Sequence, residues 1–554
     1  MGGFFLSNGT GAIRRVAAFF ERMALPFERR RLGEYELLLL RKKHVVAHNW
    51  FEGDEGRIAG VGTWLTEGGF GAAALPEVLE SFAGDRSPLR EVAGHFAFVA
   101  QRGDEGACII TEKTGTYPVY AATEAGVHHY SSSLLAVVEA LDRTGFNPQG
   151  LLEFINMEAV LGWETLFRNV RMLPFGALVQ VPVSASAETV TRYYEASDQP
   201  IRAEAVPDML LAQVGMLKHS QLEARDICCD LSGGYDSRAV AALLHRAEVP
   251  HILDTNVNSS DPGDHAAAIH AAQELQRPIV VYSFSKLDPR KGALDYVFDR
   301  LDMARDVHRA RETLAVFESK SSNHALLLGG YGGELLRDIY SGAPNLRQAV
   351  AKYYGQSLRL PQKMTDGYSA RLCDKFRGTL AYAGFADDER ASERVYFLEK
   401  MRVWGGTRIA VYNRYAYGWH PLLDHRVQRY LFGVSLAAKA EAKLQREIIA
   451  LDAELAKQPY TRSPKQIAAE RRQQKSVRRY VERTRLFQSY KRARRALFPK
   501  RDGDLTSVPP GYAAAVAEFE ALTGLSLRHC TQRVHRTRYL SLVDCFTRYR
   551  DKLG

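Results

Sequence analysis

The sequence predicts an α/β protein with a β-rich front, an α/β middle and a helical, basic end. Three patterns carry this prediction: short strand-like runs between turn residues up to about residue 145, strands alternating with helices from Arg225 onward, and mostly helical sequence beyond about residue 345. A chain of 554 residues is too long for one hydrophobic core, so we expect two or three domains.

The composition is that of an ordinary globular protein, with 46% apolar and 25% charged residues. No apolar run is long enough for a membrane span, and the start, Met1 to Leu6, lacks the basic and long apolar segments of a signal peptide. The six cysteines are scattered and form no CxxC pair. We therefore expect a reduced, cytoplasmic protein without a thiolate metal site.

The front of the chain alternates strand patterns with turn residues and ends in a linker. Residues 35–51 and 94–133 hold β-rich runs, a helix is predicted from Asn147 to Trp163, residues 173–183 return to strand, the acidic stretch 195–208 is typical of a linker, and an amphipathic helix is predicted over 209–224.

The middle begins with a short buried strand over 227–231 and a helix over 238–246. The following segments are predicted as strand, helix, strand and strand, over 251–257, 264–275, 278–284 and 324–330. Such βαβ alternation favours an open parallel sheet in a three-layer α/β domain.

Positive charge is concentrated near the C-terminal end of the sequence. The net charge is +10, and much of the excess lies in residues 468–501. One interpretation is a surface that binds nucleic acid or an anionic membrane; the other, which we favour, is long helices with a solvated basic face. Tyr480, Phe487 and Tyr490 recur at helical spacing there, which indicates packing more than base stacking.

The stretch Ser232-Gly-Gly-Tyr-Asp-Ser237 lies between the predicted strand and its helix. In an open parallel sheet, ligands bind where strand carboxyl ends meet helix N-termini, and a Gly-rich turn lets backbone N–H groups approach an anion. Asp236 repels a phosphate unless it holds Mg²⁺. The Walker form with Gly-Lys-Ser/Thr is absent. The alternative is an ordinary turn.

The stretch 232–237 resembles the SGGxDS pyrophosphate loop of N-type ATP pyrophosphatases, in particular of the asparagine synthetase family. Three further segments resemble that family: residues 94–141 the second half of its glutaminase-like domain, residues 162–195 the following linker, and residues 417–431 its R-x-P-F-L-D segment. The resemblance runs, with gaps, over about residues 1–450.

This resemblance implies three domains: an N-terminal Ntn-hydrolase-like β-rich sandwich over 1–200, a three-layer synthetase domain of the adenine-nucleotide alpha-hydrolase type over 201–465, and a basic helical extension over 466–554. It also implies ATP and Mg²⁺ as cofactors, with Asp236 and Glu334 on the metal. The implied nucleotide-binding residues are Leu231, Ser232, Gly233, Gly234, Asp236, Ser237, Val257, Gly330 and Gly332.

Two departures from the family change the expected chemistry. A working glutaminase begins Met-Cys-Gly-Ile, but here Gly2 stands at the cysteine position and has no side chain to act as a nucleophile. In the loop 326–340, Tyr331 replaces the glutamate near the reacting amine, which resembles the β-lactam synthetase branch. Because a free phenol titrates near pH 10, Tyr331 needs a partner to act as a base, and Glu399 is the candidate.

A third departure concerns the lysine that the family places after its P-F-L-D helix to stabilise developing negative charge. An ungapped count from Lys439 reaches Arg462, while Lys457 and Lys465 lie nearby. The sequence does not choose among these three. Arg462 and Lys465 are carried forward as catalytic candidates beside Tyr331 and Glu399.

The favoured hypothesis is an AMP-forming ligase that adenylates a carboxylate and joins it to an amine other than glutamine-derived ammonia. The expected substrates are a carboxylate and an amine, drawn from small molecules, peptides or sugar precursors, and a homodimer is a family-level expectation. One alternative is a glutamine-dependent asparagine synthetase, which needs the cysteine that Gly2 replaces. The other is a non-catalytic protein whose basic tail binds polyanions.

Overall fold

The computed structural model describes residues 2–45, 49–84, 88–182, 188–195, 202–220, 222–257, 262–283, 294–338, 343, 345–355, 358, 360, 367–458, 460, 508–509 and 511–553. The basic run 468–501 lies outside these residues, so its predicted helices stay a prediction.

The front of the chain is an antiparallel β-sandwich. One sheet has six strands in the order β11-β9-β10-β1-β3-β2, and the other has seven, in the order β13-β12-β8-β7-β5-β4 with β6 beside β5. The strands are β1 Gly3–Ser7, β2 Phe27–Leu32, β3 Tyr35–Leu40, β4 Trp50–Gly53, β5 Gly56–Thr66, β6 Gly69–Phe70, β7 Ala93–Arg102, β8 Cys108–Thr111, β9 Tyr120–Glu124, β10 Val127–Ser131, β11 Arg171–Met172, β12 Ala177–Gln180 and β13 Thr189–Arg192. The predicted β-rich sandwich is confirmed.

The leucine run of β3 shows why both faces of the first sheet are apolar. Successive side chains of a strand point to opposite faces. Leu37 and Leu39 lie in the core between the two sheets, whereas Leu38 and Leu40 lie in the core outside them. Helices α1 (Thr10–Arg22) and α3 (Leu134–Ala140) cover that outer face. The sandwich is therefore buried on both sides of this strand.

The middle of the chain is a parallel sheet of five strands in the order β16-β15-β14-β17-β18. The strands are β14 Ile227–Asp230, β15 Ile252–Asn256, β16 Ile279–Tyr282, β17 Leu326–Leu328 and β18 Tyr417–Trp419. The first four confirm the sequence prediction. The fifth was missed, because three residues inside a helical region carry no strand period. The chain leaves β14 for β15 on one side and returns to β17 on the other, which makes the β14–β17 boundary a topological switch point.

Helices surround the sheet and fill the end of the chain. Their bounds are α2 Leu75–Ala83, α4 Pro148–Met157, α5 Val206–Gly215, α6 Tyr235–Arg246, α7 Pro262–Glu274, α8 Leu294–Leu301, α9 Val307–Ser321, α10 Leu346–Ala349, α11 Tyr368–Ala383, α12 Ala391–Val395, α13 Gly406–Tyr412, α14 His425–Gly433, α15 Leu436–Lys439, α16 Lys443–Ile449, α17 Ala453–Lys457, α18 Ala513–Thr523 and α19 Arg533–Tyr549. A π-helical segment, Tyr396–Gly405, joins α12 to α13. No helix among the described residues is long and apolar enough to cross a membrane.

The end of the chain packs against the rest of the molecule. Helix α19 contacts α4 and α9, and Phe519 of α18 meets Phe146 edge to face with ring centroids 5.9 Å apart. Arg538 donates to the backbone oxygens of Ile155 and Asn156. The described part of the predicted extension therefore forms part of the common core. The domain boundaries at residues 200 and 465 stay predictions.

Gly2 lies where the front sandwich meets the helical region. Its N–H donates to the Leu40 oxygen at 2.6 Å. A Cβ on Gly2 would lie 2.4 Å from Cα of Arg414 and 2.9 Å from its carbonyl oxygen. Arg414 is 1% exposed and donates to the Asp302 carboxylate. The space for a nucleophilic side chain at position 2 is thus filled by backbone.

We expect Gly2→Ala to lower the free energy of unfolding by about 1–3 kcal/mol, because the backbone of Arg414 must shift to admit the methyl group. Thermal unfolding measures the effect. The matched control is Gly11→Ala in α1, where the new Cβ meets only the tip of Arg15 at 3.8 Å. Equal melting temperatures for Gly2→Ala and wild type would contradict this packing.

Candidate functional site

A cleft of about 450 Å³ opens at the carboxyl ends of the parallel strands. Two loops face each other across it, one after β14 and one after β17, at the topological switch point. Of the residues predicted from the family resemblance, Leu231, Ser232, Asp236, Ser237, Gly330, Tyr331 and Glu334 line the cleft. Gly233, Gly234 and Gly332 belong to these loops but do not line the cleft, and Val257, which follows β15, does not line it either. The structure therefore brings most of the predicted site together.

The loop after β14 is held by its own hydroxyl groups. The Ser232 N–H donates to the Ser237 hydroxyl at 3.0 Å, the two hydroxyl oxygens lie 2.9 Å apart, and the Gly234 N–H donates to Ser232 Oγ at 3.1 Å. Helix α6 begins directly at Tyr235. Because the first N–H groups of a helix have no intrahelical acceptor, this turn presents donors and the positive end of the helix dipole to the cleft. The arrangement suits an anion such as a phosphate.

Asp236 and Glu334 approach each other from the two loops. Burial raises the pKa of Asp236 to about 6; the Arg337 guanidinium opposes this shift, and the neighbouring Glu334 adds to it. Arg337 donates to one oxygen of Asp236 at 2.9 Å, and the Gln445 amide donates to the other. One oxygen of Glu334 is buried without a hydrogen-bond partner.

Two neighbouring carboxylates with an orphaned buried oxygen are a suitable donor set for Mg²⁺, which binds one or two carboxylates together with phosphate oxygens and water. Asp236 and Glu334 would hold the ion, which would neutralise phosphate charge. Arg337 was missed by sequence analysis, because a lone arginine after a Gly-rich loop is not distinguished by any spacing. The Arg337 side chain places a positive charge beside the predicted phosphate loop.

The pKa of Asp236 gives the site a pH dependence. Below about pH 6 the carboxyl is protonated, so a metal must displace its proton and affinity falls about tenfold per pH unit. We expect Mg²⁺-dependent ATP binding to weaken accordingly from pH 6 to pH 5, as measured by calorimetry. Asp236→Asn is the control, because the ATP phosphates titrate equally in both proteins. A parallel pH profile in the two proteins would contradict the role of Asp236.

The glycines after β17 permit close approach of the two loops. A Cβ on Gly330 would lie 2.6 Å from the carbonyl carbon of Asp236 and 2.7 Å from the Ser237 nitrogen. A Cβ on Gly333 would lie 2.3 Å from Asp236 Oδ1. Gly332 has a φ of +92°, in the left-handed region that favours glycine. Backbone proximity therefore explains the Gly-Gly-Tyr-Gly-Gly sequence of this loop.

Tyr331 lies inside the cleft, but Glu399 does not. The Tyr331 ring lies 4.7 Å from the His420 ring and 6.3 Å from Trp404, centroid to centroid. Glu399 is fully buried and accepts hydrogen bonds from the Thr379 hydroxyl and, at 2.7 Å, from the Gly162 N–H. The prediction that Glu399 partners Tyr331 is therefore wrong, because one oxygen of Glu399 holds the π-helical segment to the front domain and the other holds it to α11.

His420 is the neighbour of Tyr331 that sequence analysis missed. Its ring is buried against the backbone of Gly329, and its backbone N–H donates to Nε2 of His95 at 3.1 Å. Burial lowers the pKa of His420 to about 4, so the imidazole is neutral at pH 7. A neutral imidazole can hydrogen-bond with a neighbouring phenol, but a pKa this low makes it a weak base. Only the fold brings residue 420 to residue 331, through the unpredicted strand β18.

An ion-pair triad with two buried members, Lys320 and Asp254, lies along another wall of the cleft. Lys320 of α9 contacts carboxylate oxygens of both Asp230 and Asp254, and the Cys228 thiol donates to Asp254 at 2.9 Å. Burial lowers the pKa of Lys320, but the two carboxylates more than offset this and raise it above its ordinary value. Burial also raises the pKa of Asp254 to about 6. This triad was not predicted.

Which residue takes the role of the family's charge-stabilising lysine stays a prediction. Arg462 and Lys465 lie outside the described residues. Lys457 ends α17, has a side chain that is 66% exposed, and pairs with Glu454 at 2.6 Å. Val257, which the resemblance places among the nucleotide-binding residues, follows β15 and donates its backbone N–H to the backbone oxygen of Tyr282. Among the described cations, Lys320 is at the cleft wall and Arg337 contacts Asp236 across the facing loops.

Comparison with known proteins gives only distant likeness. No protein-family model matches the chain, and no curated protein matches it. The structure of the allosteric regulatory enzyme of purine biosynthesis matches at 11% identity and a TM-score of 0.24, over 50% of this chain and 64% of that one. Glutamine phosphoribosylpyrophosphate amidotransferase from B. subtilis, complexed with ADP and GMP, matches at 11% identity and a TM-score of 0.22, over 50% and 65%. The chain thus spans less than two thirds of either protein, and no activity follows from the likeness.

Proposed function

We propose that the chain is an ATP-dependent amide ligase. The single observation that carries the proposal is the placement of the 232–237 loop at the switch point of a parallel sheet. Asp236 and Glu334 lie close together there, and both line the cleft. A nucleotide-binding loop, a carboxylate pair for Mg²⁺ and a Tyr331–His420 pair then face one space. This is the combination that adenylation followed by attack of an amine requires.

The proposed reaction has two steps. A carboxylate oxygen of the substrate attacks the α-phosphorus of ATP, which forms an acyl adenylate and releases pyrophosphate. An amine nitrogen then attacks the acyl carbon, AMP leaves, and the nitrogen loses one proton. The loop donors and Arg337 would bind the phosphates, and Tyr331 with His420 would take the proton from the amine.

Two alternatives receive less support. A glutamine-dependent enzyme needs a nucleophile at position 2, where the Arg414 backbone leaves no room for a side chain. A polyanion-binding protein rests on residues 468–501, which lie outside the described residues, so no contact of the structure favours it. The residues assigned to the ligase reaction, in contrast, lie in or beside the described cleft.

The test is pyrophosphate release from Mg·ATP with a panel of carboxylic acids, with ammonium or simple amines and without glutamine. We expect at least one acid to stimulate release, and Tyr331→Phe to lower amide formation more than pyrophosphate release. Acid-independent ATP hydrolysis, or equal loss of both products in Tyr331→Phe, would contradict the assigned roles.

A further inference from the structure

Two helices give the cleft an apolar wall. Val316 and Phe317 of α9 line the cleft, as do Ile409 and Tyr412 of α13. Lys320 stands four residues after Val316 and three after Phe317, so these three side chains lie on one face of α9. We call Val316, Phe317, Ile409 and Tyr412 the apolar wall. It continues directly from the ion-pair triad that contains Lys320.

The two rings of the apolar wall are stacked on each other and stay partly exposed. The ring centroids of Phe317 and Tyr412 lie 3.9 Å apart, and the ring planes are inclined by 13°. Both side chains are only partly buried. Arg305 donates a hydrogen bond to the Tyr412 hydroxyl, so the polar end of that side chain already has a partner. A ligand with a planar or branched apolar group would remove the exposed ring surface from water.

The charged groups that line the cleft are mostly acidic. Five acids line it, against one lysine and no arginine among the described residues: Asp230, Asp236, Asp254, Asp264 and Glu334 against Lys320. Asp236 and Glu334 are the proposed ligands of Mg²⁺. Lys320 is shared by Asp230 and Asp254 and balances only one of these two carboxylates. Negative charge is therefore in excess beside the apolar wall, which favours a cationic ligand there.

Asp230 is the exposed member of the triad and lies close to the residues assigned to the amine step. Its side chain is 54% exposed. The point at which a Cβ on Gly329 would stand is 3.3 Å from Oδ2 of Asp230 and 2.7 Å from Cε1 of His420. The His420 ring in turn lies 4.7 Å from the Tyr331 ring, centroid to centroid. A cation beside Asp230 is thus close to Tyr331.

We propose that the amine substrate is a primary amine with an apolar body, whose ammonium group lies beside Asp230 and whose body covers the apolar wall. The inference rests on the ligase function proposed above and narrows its amine to arylalkylamines and branched alkylamines. Ammonia would leave the rings of Phe317 and Tyr412 open to water. An acid of the same shape would bring its carboxylate against the excess negative charge.

The test is calorimetric titration with 2-phenylethylamine at pH 7, where this amine carries one positive charge. Methylamine is the control for the charge without the apolar body, and 3-phenylpropionate is the control for the body with a negative charge. No ATP is present, so the result does not depend on the nucleotide site. The proteins are wild type, Phe317→Ala, Asp230→Asn and the control Leu522→Ala, at a residue of α18 that is 48% exposed. Thermal unfolding shows that each variant is folded.

We expect millimolar or tighter binding of 2-phenylethylamine by wild type and Leu522→Ala, and at least tenfold weaker binding by Phe317→Ala and by Asp230→Asn. Methylamine and 3-phenylpropionate should each bind wild type at least tenfold more weakly than 2-phenylethylamine. Binding of 2-phenylethylamine that is no tighter than that of methylamine, or that is unchanged in Phe317→Ala, would overturn the apolar wall as its site. Binding of 3-phenylpropionate with equal affinity, or unchanged amine binding in Asp230→Asn, would overturn the assignment to an amine.

Two further titrations separate this inference from the nucleotide site. Displacement of 2-phenylethylamine by AMP would assign the apolar wall to the nucleotide and overturn the inference. Binding of Mg·ATP without binding of 2-phenylethylamine would overturn the inference alone. Binding of 2-phenylethylamine without binding of Mg·ATP would support the amine site and contradict the ligase proposal.

Discussion

Replacing Lys320 by methionine is expected to lower the free energy of unfolding by about 3 kcal/mol, because it leaves two carboxylates without their shared cation. Asp254 is 1% exposed and cannot regain water, whereas the Asp230 side chain is 54% exposed and can. The expected loss in the free energy of unfolding is therefore at the lower end of the range for breaking a buried ion pair. Chemical denaturation at pH 7 measures it.

The pH dependence separates this cause from lost packing. Once Lys320 is gone, protonation of Asp254 removes the uncompensated charge, so the deficit of Lys320→Met should shrink as the pH falls from 7 to 5. The matched control is Lys457→Met, at a residue that is 66% exposed and paired with an equally exposed glutamate, where a change of about 0–1 kcal/mol is expected. A pH-independent deficit in Lys320→Met would contradict the triad.

Gly330→Ala is expected to weaken ATP binding by at least tenfold and to destabilise the fold by about 1–3 kcal/mol. The new Cβ would lie 2.6 and 2.7 Å from backbone atoms of Asp236 and Ser237, so the loop after β17 must move away from α6. Both the turn 232–237, where we propose that the phosphates bind, and the Asp236–Glu334 pair depend on this contact. Calorimetry with Mg·ATP and thermal unfolding give the two readouts.

Gly378→Ala is the matched control for that substitution. Gly378 lies within α11, and its Cβ would meet no atom within 4 Å. Alanine is a better helix former than glycine, so we expect a gain of up to about 1 kcal/mol in stability and unchanged ATP binding. Weakened ATP binding in both variants would indicate that Gly330 acts through a general effect on the fold.

The parts of the site that are local in sequence could be predicted, since the Gly-rich turn 232–237 is recognisable from its own residues. A strand, a Gly-rich turn and a helix follow each other directly, and the structure places Ile227–Asp230 and Tyr235–Arg246 on either side of it. The facing loop after β17 was also found, because Gly330 and Glu334 stand at positions of a known family pattern. The structure places this loop beside the turn 232–237, because β14 and β17 are neighbouring parallel strands.

The parts that depend on tertiary contacts could not be predicted. The strand Tyr417–Trp419 is three residues long, so its period could not show in the sequence, although it brings His420 to Tyr331. Glu399 was chosen from its helix alone, and the packing of the π-helical segment turns it toward Thr379 instead. Lys320 and the apolar wall come from helices that are ordinary in sequence.

The central claim is that the 232–237 loop and the Asp236–Glu334 pair bind Mg·ATP. The most direct test is calorimetric titration of ATP with and without Mg²⁺, on wild type, on Asp236→Ala and on the exposed control Glu447→Ala. We expect millimolar or tighter binding that needs Mg²⁺, is lost in Asp236→Ala and is retained in Glu447→Ala. Absence of ATP binding in wild type, or binding that is indifferent to Mg²⁺ and to Asp236, would contradict it.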